Sequence, residues 1–456
     1  MAHVGTTRGG GAMTRVWRCS WLAGTVALAL LCPVPRAARA ADVGEVVVLE
    51  DQTGAINAAG VITQDYLGRA ACAFYAAGHG DAFDGLVFFT TIPQTFLTGT
   101  PAGWPVKAPA KGIGLDLWFD LSASFCSPRL RHAVRMGELA ALPDSPDGLY
   151  STYPWTGIEV LGHEMGHQWL AYVSFAKGDG LRHCMLRGFN SASSDGDMTC
   201  DGHKVSDYIL HWSFYFNTGS LMYGNEIVDL GGGKFRLQYV KPRYSPLDQY
   251  LMGLRSKSDV PAQFLVDKGD PAGGDSSALP LMAGQTRETQ GTRLDFTVED
   301  IVRAEGERVP ARESCHWKVA FAIVHAAGKP PTAAEIAKVD AYRKRWEEYY
   351  AWATDGRGSV DTTLHGGGQG TKGCPASGIQ PDASVARDGG GEASRRDGTV
   401  SEGGGCGCHA GASRGTDEGE PEERTGASCA PDVAFLVVAL LAIRTARARA
   451  RRSSDE

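Results

Sequence analysis

No apolar stretch in this 456-residue chain reaches the roughly 20 residues a membrane-spanning helix needs. Trp21–Leu31 near one end and Val433–Ile443 near the other both fall short. Excess positive charge is lacking too. The net charge of −7 leaves no basic footprint for nucleic acid, and a mildly acidic surface speaks to solubility rather than to a partner. No internal repeat stands out. No Gly-rich loop follows a strand and opens a helix, so a phosphate cradle is excluded; Gly231–Gly233 reads as a turn. No serine nucleophile signature is present.

The two ends are the next feature. Residues 1–40 read as a secretory signal. Arg15 and Arg18 supply the positive start, Trp21–Leu31 the short apolar core, and Ala38-Arg39-Ala40 a small-x-small cleavage site. Residues 1–12 read as an extension ahead of a compact signal starting at Met13. Leu31 is too large to precede a lipidated cysteine, which argues against Cys32 as a lipoprotein site. Residues 366–405 are rich in Gly, Ser and charge with almost no large apolar side chain, so they cannot bury enough surface to fold and read as a tether. Residues 406–456 bring Cys406 and Cys408, the apolar run Val433–Ile443 and the basic cluster Arg444–Arg452. The positive-inside rule keeps such a cluster cytoplasmic.

Between these ends, residues 41–365 form the expected catalytic domain, of α+β class. "VVVLE", "GLVFFTTI" and "GIGLDLWFDL" have strand character, and "ITQDYLGRAACAFYAAGHGD" has helical composition. "GNEIVDLGGGKFRLQYV" predicts two strands around the glycine turn. Thr297/Asp300 and Thr332/Glu335 are capping patterns that open two further helices. The chain has 11 cysteines, of which Cys72, Cys126, Cys184, Cys200, Cys315 and Cys374 lie in or next to this part. In an exported chain they predict up to three disulfides, and Cys184 and Cys200 flank a loop they could close.

The chemistry sits in "TGIEVLGHEMGHQWLAYVSF", Thr156–Phe175. Thr156 and Glu159 start a helix, and residues four apart share one face of it. His163 and His167 can therefore aim ring nitrogens at one metal ion. Glu164 reaches a metal-bound water without binding the metal. This is the H-E-x-x-H pattern of a zinc site with Glu as general base. Gly162 and Gly166 each cost the helix about 1 kcal/mol, which predicts close approach of another backbone there. Without a metal, the same residues would be core histidines beside a solvated or paired glutamate.

Zinc needs a third protein ligand. No histidine stands six residues after His167, where Val173 is found, and Leu186 occupies the place of a glutamate one helix further on. Two residues can complete the site. Asp248 in "YSPLDQYLMGL" would lie on a short helix capped by Ser245, although it is also placed to close that helix's capping box. His211 in "YILHWSFYF" sits among aromatics, where a core histidine bonded to the backbone is the alternative. Asp248 is preferred because it would lie on a helix rather than in an apolar run. Tyr250, His183 and Tyr223 are candidates for stabilising an oxyanion. The acidic loop Ser193–Lys204 lacks the terminal Glu of a calcium loop and reads as solvated.

"HEMGHQW" resembles the HExxHxW stretch of zinc aminopeptidases. Together with "HWSFYF", "GNEI", "YSPLDQYLMGL" and "RWEEYYAWATDGRGSVDTTL", it resembles a group of exported bacterial zincin-type metallopeptidases, many of them myxobacterial. That resemblance implies a zincin-like fold, with a mostly antiparallel sheet packed on the active-site helix. The C-terminal residues resemble the myxobacterial sorting segment. This implies processing at Cys406 or Cys408 and display at the cell surface, with membrane contact before processing; Cys429 lies nearer the apolar run, and an ordinary membrane anchor is the alternative.

The expected protein is thus a secreted or cell-surface zinc metallopeptidase acting on protein or peptide substrates, in which Glu164 takes the proton of a zinc-activated water. The alternatives are a non-catalytic surface adhesion protein and a zinc amidase acting on cell-wall peptide.

Overall fold

The computed structural model describes residues 40–60, 63–95, 100–114, 120–150, 154–189, 199–200, 203–204, 208–268 and 276–365. The predicted signal apart from Ala40, the tether, Cys374, Cys406 and Cys408 lie outside these residues. So do residues 115–119 in the middle of the strand predicted in "GIGLDLWFDL" and most of the acidic loop, including Asp195, Asp197 and Asp201.

Among the described residues the architecture is mixed α/β with two seven-stranded sheets. The first holds β1 (Ala40–Val43), β2 (Val46–Asp51), β3 (Gly85–Thr90), β4 (Ala102–Pro105), β5 (His132–Glu138), β15 (His316–Ala326) and β16 (Ser359–Asp361). Its order is β1-β2-β15-β3-β5-β4, with β16 beside β15. The runs at Val46–Leu49 and Leu86–Phe89 are apolar at every position because both faces are covered. Side chains alternate between two cores, as strand geometry requires. Val46, Val87, Phe89, Val134, Phe321 and Ile323 face one core, and Val47, Leu49, Leu86, Phe88, Ala320 and Val324 the other.

The second core lies under helix α2 (Thr63–Ala76), which follows the short turn α1 (Ala55–Ala58) and buries Tyr66, Leu67, Ala70 and Phe74. The first core lies under α3 (Gly157–Gly166) and α6 (Ala333–Ala353). The capping boxes predicted at Thr156/Glu159 and Thr332/Glu335 are formed, as is the Thr297/Asp300 box of α5 (Val298–Glu305). In α6 the stripe Val339, Tyr342, Trp346 and Tyr349 is buried, as its three-and-four spacing requires.

The second sheet contains β6 (Arg187–Phe189), β9 (Tyr208–Asn217), β10 (Tyr223–Gly231), β11 (Lys234–Gln238), β12 (Gln263–Asp267), β13 (Thr286–Gln290) and β14 (Thr292–Phe296). β10 and β11 form the predicted hairpin around Gly231–Gly233, where all three glycines have φ between 60° and 80°. A two-residue-per-strand hairpin, β7 (Thr199–Cys200) and β8 (His203–Lys204), stands apart. The short helix α4 (Pro246–Leu251) starts at Ser245 as expected.

One expectation is corrected. The helix carrying H-E-x-x-H packs on β4, β5 and α6, and the sheet it meets is not mostly antiparallel. The pairs β2–β15, β15–β3, β3–β5 and β15–β16 are parallel; only β1 and β4, at the edges, run antiparallel to their neighbours. The physical reason is double-sided burial, which suits parallel strands joined by helical crossovers. Most pairings of the second sheet are antiparallel, although β9 and β10 meet through two irregular parallel bridges.

Cys184 and Cys200 are bonded, as the loop between them suggested, and Cys72 pairs with Cys126. Cys315 is disulfide-bonded as well. Such bonds belong to oxidising compartments. Among the described residues, no helix is long and apolar enough to cross a membrane. The Cys72–Cys126 bridge spans 54 residues. On loop entropy, replacing both cysteines by serine should cost about 4 kcal/mol. Denaturant unfolding checks this; an unchanged midpoint would mean the bridge restrains nothing in the unfolded chain.

Candidate metal centre

The helix α3 presents His163 and Glu164 in its last turn and His167 at its C-cap. Its glycines admit close neighbours, but these are side chains rather than the expected backbone. A Cβ on Gly162 would meet Leu221 Cδ1 at 3.0 Å and Tyr349 Cε1 at 3.2 Å; one on Gly166 would meet Met222 Sδ at 2.6 Å. Leu221 and Met222 belong to the loop between β9 and β10. The helix from the first sheet is therefore pressed against the second.

That contact delivers a third histidine. His211, on β9, joins His163 and His167, with one ring nitrogen from each residue lying within 4.8 Å of the others. The Nε2 atoms of His163 and His211 are 3.0 Å apart. His163 Nδ1 lies 2.6 Å from the carbonyl of Leu221 and so carries the hydrogen, which leaves its Nε2 lone pair facing His211. His163 is buried; His167 and His211 are partly open to solvent.

Asp248, the preferred third ligand, does not join them. It is fully buried and its carboxylate is already engaged. One oxygen accepts from Trp212 Nε1 at 2.9 Å, the other from the Ser245 amide at 2.7 Å, and Ser245 Oγ accepts from the Asp248 amide. It closes a capping box and anchors α4 to β9. Trp212 and His211 are adjacent on one strand and point to opposite faces. Asp248 serves the first and the histidine pair meets the second.

The three imidazoles fit a divalent ion such as zinc. Tetrahedral zinc with bonds of ~2.0–2.1 Å places its nitrogens roughly 3.3 Å apart, within the range the three rings span. Burial pulls His163 down to about 4 and holds His167 and His211 well below the usual 6.5, with neighbouring histidines adding to the effect. Neutral imidazole is the form that binds metal. Among the described residues, the buried Nδ1 atoms of His167 and His211 have no hydrogen-bond partner. Each of these rings therefore has a nitrogen left unspent by the protein.

Glu164 lies beside this cluster, nearly sequestered from solvent. Its Oε2 accepts from the Gly103 amide on β4 at 2.6 Å. Burial pushes its carboxyl up to about 8, opposed by the Gly103 N–H and by the Arg135 guanidinium. The Glu164 main-chain carbonyl lies 2.8 Å from His132 Nε2.

Of the three oxyanion candidates, only Tyr223 stands at the cluster. Its ring lies 4.2 Å from that of His211 and 5.2 Å from that of His163, nearly parallel to both. Its φ of 78° is unusual for a bulky residue, and such strain costs on the order of 1–3 kcal/mol. Trp155 packs against both rings, 5.0 Å from that of His163 and 5.2 Å from that of Tyr223. His183 instead pairs with Asp179, and Tyr250 lies among Arg308, Lys257 and Glu307. Gly103, His132, Arg135 and the Leu221 carbonyl carried no local signal in the sequence, because each reaches the site from a distant element.

His132 offers a pH test. Burial pulls it from 6.5 to about 4. A depressed imidazole contributes its stability in full above 6.5 and loses it as pH falls toward 4, because the unfolded chain binds a proton the folded chain refuses. His132→Gln should therefore flatten the loss of stability across that window, by up to about 1.4 kcal/mol per pH unit. Equal slopes in urea unfolding of the two proteins would contradict a neutral buried His132.

No family model, curated protein or solved structure matches the chain.

Proposed function

We propose that the protein is an exported zinc-dependent hydrolase of the zincin type that cleaves peptide bonds. The observation that carries the reading is the meeting of His211 with the H-E-x-x-H pair, one residue from the buried carboxylate of Glu164. His163, His167 and His211 would hold the ion, and three protein ligands are the number that lets a catalytic zinc take a water or substrate as well. Bound zinc supplies Lewis acidity and a water acidic enough to lose its proton near neutral pH.

Glu164 is the proton carrier. One carboxylate oxygen is fixed by Gly103, and the other is left to take the proton and return it to the leaving amine. Tyr223 packs on the rings of His163 and His211, and Trp155 on that of His163. The disulfides favour an oxidising location. The basic C-terminal cluster and its cysteines favour display at the cell surface. The net acidic charge gives nucleic acid no footprint.

Treatment with phenanthroline should abolish cleavage of an unfolded protein such as casein, and added zinc should restore it. Cleavage that persists in the chelator would contradict the reading. Zinc-dependent cleavage of cell-wall peptide without any of casein would move the activity to the amidase alternative.

A further inference from the structure

We infer that Gly103 and His132 are positioning residues that hold Glu164 at two points, the carboxylate and the main-chain carbonyl. The inference rests on Glu164 as the general base. Both groups come from one place in the fold. β4 and β5 are paired antiparallel at the edge of the first sheet, with Gly103 opposite Val134 and Pro105 opposite His132.

The carbonyl contact answers a need of the helix. α3 ends at Gly166, so the Glu164 carbonyl is among the last four that lack a helical donor. The Gln168 amide, its regular partner, turns to Met165 instead. His132 Nε2 takes the vacant role at 2.8 Å from the carbonyl oxygen. His132 is fully buried, and its Nδ1 has no partner among the described residues. An orphaned buried nitrogen is costly, and an apolar side chain would fill the space without that cost. What the imidazole adds is a donor at this carbonyl.

The carboxylate contact depends on a missing side chain. A Cβ on Gly103 would stand 2.0 Å from the Glu164 carbonyl oxygen and 3.0 Å from His132 Nε2. Only glycine lets β4 lie this close, and the closeness brings its amide within 2.6 Å of Glu164 Oε2. Such a bond is strengthened whenever the carboxyl is ionised. The two contacts together fix both the helix end and the carboxylate orientation, and misplacement of a reacting group by about 1 Å can cost on the order of 100-fold.

The test uses the full-length protein with zinc content and folding checked for each variant. Gly103→Ala and His132→Leu should lower kcat by about 10–100-fold with KM changed less than about 2-fold. His132→Gln, whose amide N–H can reach the same carbonyl, should recover most of the loss. In the amide spectrum of wild-type protein the Gly103 proton should lie far downfield and shift upfield in Glu164→Gln. Should Gly103→Ala not fold, the His132 pair and the Gly103 shift still decide. Wild-type kcat in folded, zinc-loaded His132→Leu would overturn the inference. Loss of zinc in that variant would also overturn it, by assigning the contact to the metal centre. Full turnover of Glu164→Gln would instead remove the general-base reading, while the Gly103 shift would still report the contact.

Discussion

Glu164→Gln should keep its zinc and lose roughly 10²–10⁴-fold in turnover, the contribution of a positioned general base. The substitution is nearly isosteric. The side-chain oxygen of Gln can still accept from the Gly103 amide, so the helix and the three histidines keep their places. What disappears is the group that can hold a proton. Steady-state cleavage of a peptide, with metal content measured on the same sample, separates the two effects. A variant that retains zinc and cleaves at the wild-type rate would leave the buried carboxylate without a catalytic role.

The second large effect concerns the ligands. Alanine at His163, His167 or His211 should cost more zinc affinity than the roughly 10–100-fold lost with an outer hydrogen-bonding partner. Asp248→Ala should behave differently. It removes a capping box and a buried bond to Trp212, so it should cost about 2–4 kcal/mol of stability while zinc binding survives in the folded fraction. Zinc titration alongside urea unfolding separates these outcomes. Tight zinc binding by His211→Ala would remove His211 from the site.

Much of the local structure was legible in the sequence. The Thr156/Glu159, Thr297/Asp300 and Thr332/Glu335 boxes are contacts between residues three apart, and each is formed. The hairpin at Gly231–Gly233 is local in the same way. His163, Glu164 and His167 sit on one helix, so their spacing shows their shared face.

What was not legible depends on which strand lies beside which. The sheet against α3 is parallel at its centre, and strands buried on both faces carry no alternation to reveal their direction. The choice between Asp248 and His211 turned on facing directions along β9. Adjacent residues there serve different partners, Trp212 the carboxylate and His211 the histidine pair. Gly103 and His132 are ordinary residues in their own segments. They acquire meaning only when the edge of the first sheet folds over the end of α3.

The central claim is a metal centre built from a helix of one sheet and a strand of the other. The most direct measurement is the zinc content of purified wild-type, His211→Ala and Asp248→Ala proteins after zinc is supplied and excess removed. The account predicts about one zinc per chain in the wild type and in folded Asp248→Ala, and almost none in His211→Ala. Zinc kept by His211→Ala and lost by folded Asp248→Ala, or no zinc in a folded wild type, would contradict it.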